Sequence, residues 1–162
     1  METLRITKKD LNANNEYIGK TDVTNFNGNI EIDELLGWVL FKSISVTGYL
    51  LAKAGSGIKA GWGIKAGSGI EAGSGIEAGL SIMCKLSLKI TKRIFAGLAI
   101  WRDSKEITDA EKTITCGKLE SGEVCYGILK EVGMLEEKKE ISLSGKEVSV
   151  TVDGKTYRAI IQ

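Results

Sequence analysis

From Gly48 to Trp101 the chain keeps almost one register: even-numbered residues are apolar or small, while odd-numbered ones are Gly, charged or polar. The centre is nearly a pure hexad, reading Ile58-Lys-Ala-Gly-Trp-Gly, Ile64-Lys-Ala-Gly-Ser-Gly, Ile70-Glu-Ala-Gly-Ser-Gly and Ile76-Glu-Ala-Gly-Leu-Ser. Alternation is the strand period, because successive side chains point to opposite faces. An ordinary meander loses that parity at some turn, yet here it survives with no insertion over about fifty residues. A chain that holds one side inward for so long is most simply wound around a core. The alternation therefore predicts an all-β parallel solenoid.

Every sixth residue reads Leu40, Val46, Ala52, Ile58, Ile64, Ile70, Ile76, Ile82, Leu88, Ile94 and Ile100, none of them polar. Two residues before each stands Trp38, Ile44, Leu50, Ser56, Trp62, Ser68, Ser74, Leu80, Leu86, Lys92 or Leu98, mostly apolar or small. An aliphatic residue preceded at two positions by a small one resembles the hexapeptide repeat of left-handed parallel β-helices. The resemblance covers Trp38 to Trp101 and implies three hexads in each triangular coil of about eighteen residues. Lys59, Lys65 and Trp62 depart from that pattern. Parity alone leaves a right-handed solenoid open, and the Gly-Ser-Gly tracts alone would also fit a flexible linker. Linkers, however, do not place isoleucine at every sixth position.

Charge tests the coil length separately. Eighteen residues per coil would stack Lys53 on Glu71, Glu71 on Lys89 and Lys59 on Glu77, about 4.8 Å apart. Twelve would stack Lys53 on Lys65, like on like. Each exposed pair contributes about 0.2–1 kcal/mol, enough to select register rather than to supply much stability.

Three segments follow: an N-terminal cap over 1–37, the hexad solenoid over 38–101, and a small C-terminal β-hairpin appendage over 102–162. In the cap, Leu4 and Ile6 alternate, as do Ile30 and Ile32 after the Asn27-Gly28 turn signal. In the appendage, Thr113–Leu119 and Val124–Lys130 flank a polar turn. Val148, Val150 and Val152 precede Asp153-Gly154, the strongest short hairpin signal, which sets Val150 opposite Tyr157 and Val148 opposite Ala159.

Composition decides what chemistry is available. There is no histidine, the commonest general base and metal ligand, and no proline, which suits paired strand. A net charge of +1 gives no long-range field for nucleic acid or acidic lipid. No apolar run approaches the length of a bilayer span, and the N-terminus does not read as a signal peptide. Three cysteines, an odd number, argue against a disulfide framework and for a cytoplasmic setting. Cys84 falls at an inward position, while Cys116 and Cys125 flank a turn; with no histidine and no Cys-x-x-Cys, they read as small buried side chains rather than metal ligands.

Many left-handed β-helices are acyltransferases or carbonic anhydrases, activities that rest on histidine, so no position here can receive those roles. Carboxylates such as Asp103, Asp109 and Glu111 show no paired spacing. Ice binding would want ranks of outward threonine. The Gly-x-Gly repeats recur at every corner, where backbone geometry explains them better than a phosphate cradle. The expectation is a chain that is not an enzyme and holds no cofactor or metal.

Outward aromatic residues carry the remaining signal. Met83 and Trp101 lie one coil apart and should share a column; Phe95 and Phe41 should share a second beside Glu77. Met83, Phe95 and Trp101 are thus the candidate protein-binding residues, a contact patch of the kind that large exposed apolar side chains form. Such small Gly-rich hexad chains resemble proteins of Firmicutes and their phages. That resemblance implies a non-catalytic binding module, in its most concrete form a phage-encoded, anti-CRISPR-like inhibitor of a bacterial defence complex. A homo-oligomer is expected, with no direct nucleic-acid or membrane partner. The alternative is a structural, polymer-forming solenoid, bactofilin-like or part of a phage tail or baseplate.

Overall fold

The computed structural model describes residues 1–99, 106–133, 147–152 and 155–160, the last two segments by their backbone. Among the described residues a little over half lie in strands, and the other regular element is a short 3-10 turn at Lys8–Asp10. In chain order these are β1 (Glu2–Ile6), β2 (Gly28–Ile32), β3 (Gly37–Phe41), β4 (Ile44–Val46), β5 (Leu50–Ala52) and β6 (Ser56–Ala60). Next come β7 (Ile64–Ala66), β8 (Ile70–Ala72), β9 (Ile76–Ala78), β10 (Ile82–Cys84) and β11 (Ser87–Ala96). The C-terminal strands are β12 (Thr113–Cys116), β13 (Lys118–Tyr126), β14 (Ile128–Glu131), β15 (Glu147–Val152) and β16 (Lys155–Ile160). The fold is all-β, and its sheets are parallel apart from the β15–β16 pair.

Pairing sorts the strands into three ladders. One runs β1-β2-β5-β8 and continues into the first half of β11. A second runs β3-β6-β9 into the second half of β11. The third runs β4-β7-β10-β12-β14. Chain order visits the ladders in rotation, so each hexad contributes one short strand to the next ladder. Within a strand such as Ile76-Glu77-Ala78 the isoleucine and alanine point inward, and both are fully buried. Ile58, Ile76 and Ile94 stack as direct partners, as do Ile64 and Ile82. Each buried aliphatic side chain contributes roughly 1.5–3 kcal/mol, which makes these stacks the main stabilising feature.

The spacing is eighteen residues where the hexad is purest, as in the Lys89–Glu71 pair. It is twenty between β5 and β8 and between β4 and β7, the same step as Tyr49 to Asn29. For the β4–β7 and β5–β8 steps the additional two residues lie between Ala52 and Ser56, where Gly55 takes a left-handed φ of 75°. An insertion of two preserves parity, so alternation does not reveal it. It corrects one expected stack: Glu71 faces Leu51, and Lys53 instead reaches Glu31 at 3.8 Å and Asp33 at 3.4 Å. Two expected ion pairs are present, Lys59–Glu77 at 2.7 Å and Lys89–Glu71 at 3.0 Å.

Within 38–99 parity also breaks once, between Phe41 and Ile44. Val39 and Phe41 are buried, whereas Leu40 faces Lys59. Phe41 is therefore an inward residue, its ring 5.7 Å from that of Tyr17, and not part of an outward column.

The N-terminal residues join the same sheets, since β1 and β2 pair in parallel, not as a hairpin. Residues 7–27 then cover two ladder ends. Tyr17 N–H donates to the Leu40 carbonyl, Phe26 N–H donates to Ser45, and Leu11, Val23 and Phe26 are buried. Thr113–Leu119 and Val124–Lys130 are not hairpin partners either. β12 and β14 pair with each other in the third ladder, and β13 runs through Gly122 along β11. Gly122 allows this with φ 113°, close against Ile90 and Ile94, so the Glu-Ser-Gly-Glu segment continues a strand instead of reversing it. The β15–β16 pair is antiparallel with Val150 opposite Tyr157 and Val148 opposite Ala159, the register that Asp153-Gly154 implies.

Candidate functional site

The outward face of the β3-β6-β9-β11-β13 ladder carries two adjacent columns. The first is Trp38, Gly57, Gly75, Arg93 and Glu123; the second is Leu40, Lys59, Glu77, Phe95 and Tyr126. The glycines shape the first column. A Cβ at Gly57 would lie 3.0 Å from the Trp38 ring, and one at Gly75 would lie 2.8 Å from its outer edge. With no side chain at either position, the indole lies across two successive rungs and keeps 38% of its surface exposed. Beyond the glycines the column fills again with Arg93. The step between them leaves an open cleft of about 710 Å³ whose walls include Trp38, Phe95, Arg93, Lys92 and Thr91.

Charge in the cleft is unbalanced. Lys92 and Arg93 are both exposed, and among the described residues Glu123 is the one carboxylate lining it. In the neighbouring column Lys59 and Glu77 neutralise each other. Flat aromatic surface on a parallel sheet can bury apolar area at low conformational cost, and two cations beside it attract acidic groups.

Of the residues expected to bind, Phe95 lines this cleft, half-buried between Glu77 and Tyr126. Met83 is 43% exposed but belongs to a different ladder, between Lys65 and Thr115. Thr115 takes the place next to Met83 that the eighteen-residue spacing assigns to Trp101, because β12 begins only at Thr113. Trp101 lies outside the described residues. Trp38 and Tyr126 were not legible as site residues. Parity placed Trp38 inward, although the bare glycines at positions 57 and 75 are a signal that something broad lies over them.

The other candidates have structural explanations. Asp109 pairs with Lys112 at 2.9 Å, and the Glu111 carboxylate accepts from Thr108. Asp103 lies outside the described residues. Cys84 and Cys116 are buried on adjacent inward rungs, and burial pushes the Cys84 thiol up to about 12 and the Cys116 thiol in the same direction, which disfavours the thiolate at both. Cys125 is exposed, contrary to the expectation that all three are buried. Among the described residues no group of three or more Cys, Asp or Glu side chains could hold a metal ion, and no helix is long and apolar enough to cross a membrane. No protein-family model matches the chain, and neither a curated protein nor a solved structure does.

Proposed function

We propose that the chain is a triangular parallel β-solenoid of about eighteen residues per coil, of the hexapeptide-repeat type, serving as a non-catalytic protein-binding module. Three parallel ladders visited in rotation support the architecture. One observation carries the function: Trp38 and Phe95 flank a cleft bordered by Lys92 and Arg93 on the outer face of a rigid sheet. Side chains held outward on such a support pre-organise a contact surface, which lowers the cost of association. The partner is a protein presenting an apolar anchor beside acidic residues. The most concrete version is a phage-encoded, anti-CRISPR-like inhibitor acting in the host cytoplasm, where occupying a surface suffices to block an assembly. The covered ends of β3 and β4 favour a discrete complex over an end-to-end filament.

The test is capture from bacterial lysate with wild type and with the Trp38→Ser/Phe95→Ser double variant, alongside mass by light scattering. A stoichiometric partner held by wild type and released by the folded variant supports the reading, and a wild-type dimer that the variant dissociates identifies a second copy as that partner. A partner retained equally by both, or none at all, counts against it. Filaments in negative stain would favour the polymer-forming alternative.

A further inference from the structure

The two ends of the ladders differ. At the N-terminal end residues 7–27 hydrogen-bond to β3 and β4 and bury Leu11, Val23 and Phe26. At the C-terminal end the final rungs are Leu119, Val124 and Leu129, directly opposite Leu88, Ile94 and Ile114. Those three partners are fully buried, whereas Leu119 and Val124 are half-buried and Leu129 is 38% exposed. Every residue of β14 is exposed, and its outer edge pairs with no strand among the described residues. An inward apolar rung left in water together with an open strand edge is the feature that natural sheets cover.

The same chain carries a second surface in need of cover. Among the described residues the β15–β16 pair forms a two-stranded sheet, and an isolated two-stranded hairpin is marginal in water. Its register groups Val148, Val150 and Val152 with Lys155, Tyr157 and Ala159 in one alternation class, and Glu147, Ser149 and Thr151 with Thr156, Arg158 and Ile160 in the other. The first class is apolar except for Lys155, and the second is polar except for Ile160.

We propose that the β15–β16 hairpin caps the C-terminal end of its own ladders, its Val148/Val150/Val152 class lying over Leu119, Val124 and Leu129. Residues 132–146 connect the two, a length of chain that can span up to roughly 50 Å, ample for the hairpin to fold back. The tether holds the hairpin near the end at an effective concentration of order millimolar, well above that of a second molecule under ordinary conditions.

Hydrogen exchange on the full-length chain, with mass by light scattering, tests this. In a monomeric wild type the β14 amides are protected. Val150→Asp speeds their exchange about tenfold or more, while β7 and β8 amides stay protected as the folding control. Ser149→Asp, in the polar class, leaves β14 as in wild type. The proposal is overturned if β14 exchanges equally fast in wild type and Val150→Asp, or if Ser149→Asp matches Val150→Asp. A wild-type dimer dissociated by Leu129→Asp also overturns it, since a second copy then covers the end.

Discussion

Gly61 and Gly79 occupy the same place in the hexad, directly after the inward alanine, yet alanine substitution should affect them very differently. A Cβ at Gly79 would land on the backbone carbonyl of Gly61, far inside an ordinary contact of about 3.5 Å. Backbone cannot swing aside as a side-chain tip can, so the two rungs must separate. Separation strains the adjacent bonds, Gly79 N–H to the Ala60 carbonyl at 2.8 Å and Leu80 N–H to Trp62 at 3.0 Å. Overpacking costs about 1–3 kcal/mol and each weakened bond about 0.5–1.5 kcal/mol, so Gly79→Ala should lose about 4 kcal/mol. At Gly61 the nearest atom to a Cβ is the Lys42 carbonyl oxygen at 3.6 Å, an ordinary contact. There the loss of unfolded-state freedom favours alanine by about 0.4–1 kcal/mol, so Gly61→Ala should stay within about 1 kcal/mol of wild type.

Urea unfolding followed by tryptophan fluorescence reads both. With a denaturant slope of about 2 kcal/mol per molar, Gly79→Ala moves the midpoint down by about 2 M and Gly61→Ala by no more than about 0.5 M. Equal midpoints for the two variants would refute the reasoning, because they would mean that the rungs do not approach at Gly79 as described.

Two further outcomes follow from titratable groups. A thiol reagent at about pH 8 should modify one cysteine per native chain, the exposed Cys125, and three after denaturation, since Cys84 and Cys116 are buried and burial raises both thiols; rapid reaction of two or more native thiols would contradict the inward stacking. The Arg5 guanidinium, 2.7 Å from Asp33, holds that carboxyl below its ordinary value. A depressed folded-state value gives stability that is present above about pH 4 and lost as pH falls through the folded value. Arg5→Met should therefore lower the urea midpoint at neutral pH and approach wild type in acid, and a difference that does not change with pH would exclude this origin.

Much of the interior was legible because alternation reports directly on which side of a strand faces inward. Ile44 through Ala96 follow it, with exceptions such as Gly57, Trp62, Leu86 and Lys92. What alternation cannot register is an insertion of two, which moved Lys53 off Glu71 and onto Glu31 and Asp33. Nor does it announce the slip of one before Ile44, which turned Phe41 inward and Trp38 outward. Phe95 was legible as outward. Its neighbours in the cleft were not, because which residue lies beside another across a ladder depends on the length of every corner between them.

The sequence by itself determined the local period, the inward isoleucines, two of the ion pairs and the register of the β15–β16 hairpin. All of these follow from spacing within a hexad, between hexads of equal length, or across a two-residue turn. Only the tertiary structure decided that β12–β14 extend the parallel ladders, that the glycines at positions 57 and 75 lie under Trp38, and that residues 7–27 cover one end while Leu129, on the last rung at the other, keeps 38% of its surface exposed. Those outcomes depend on contacts between residues about fifteen or more positions apart, and a shift of one or two residues in a single corner redirects every contact beyond it.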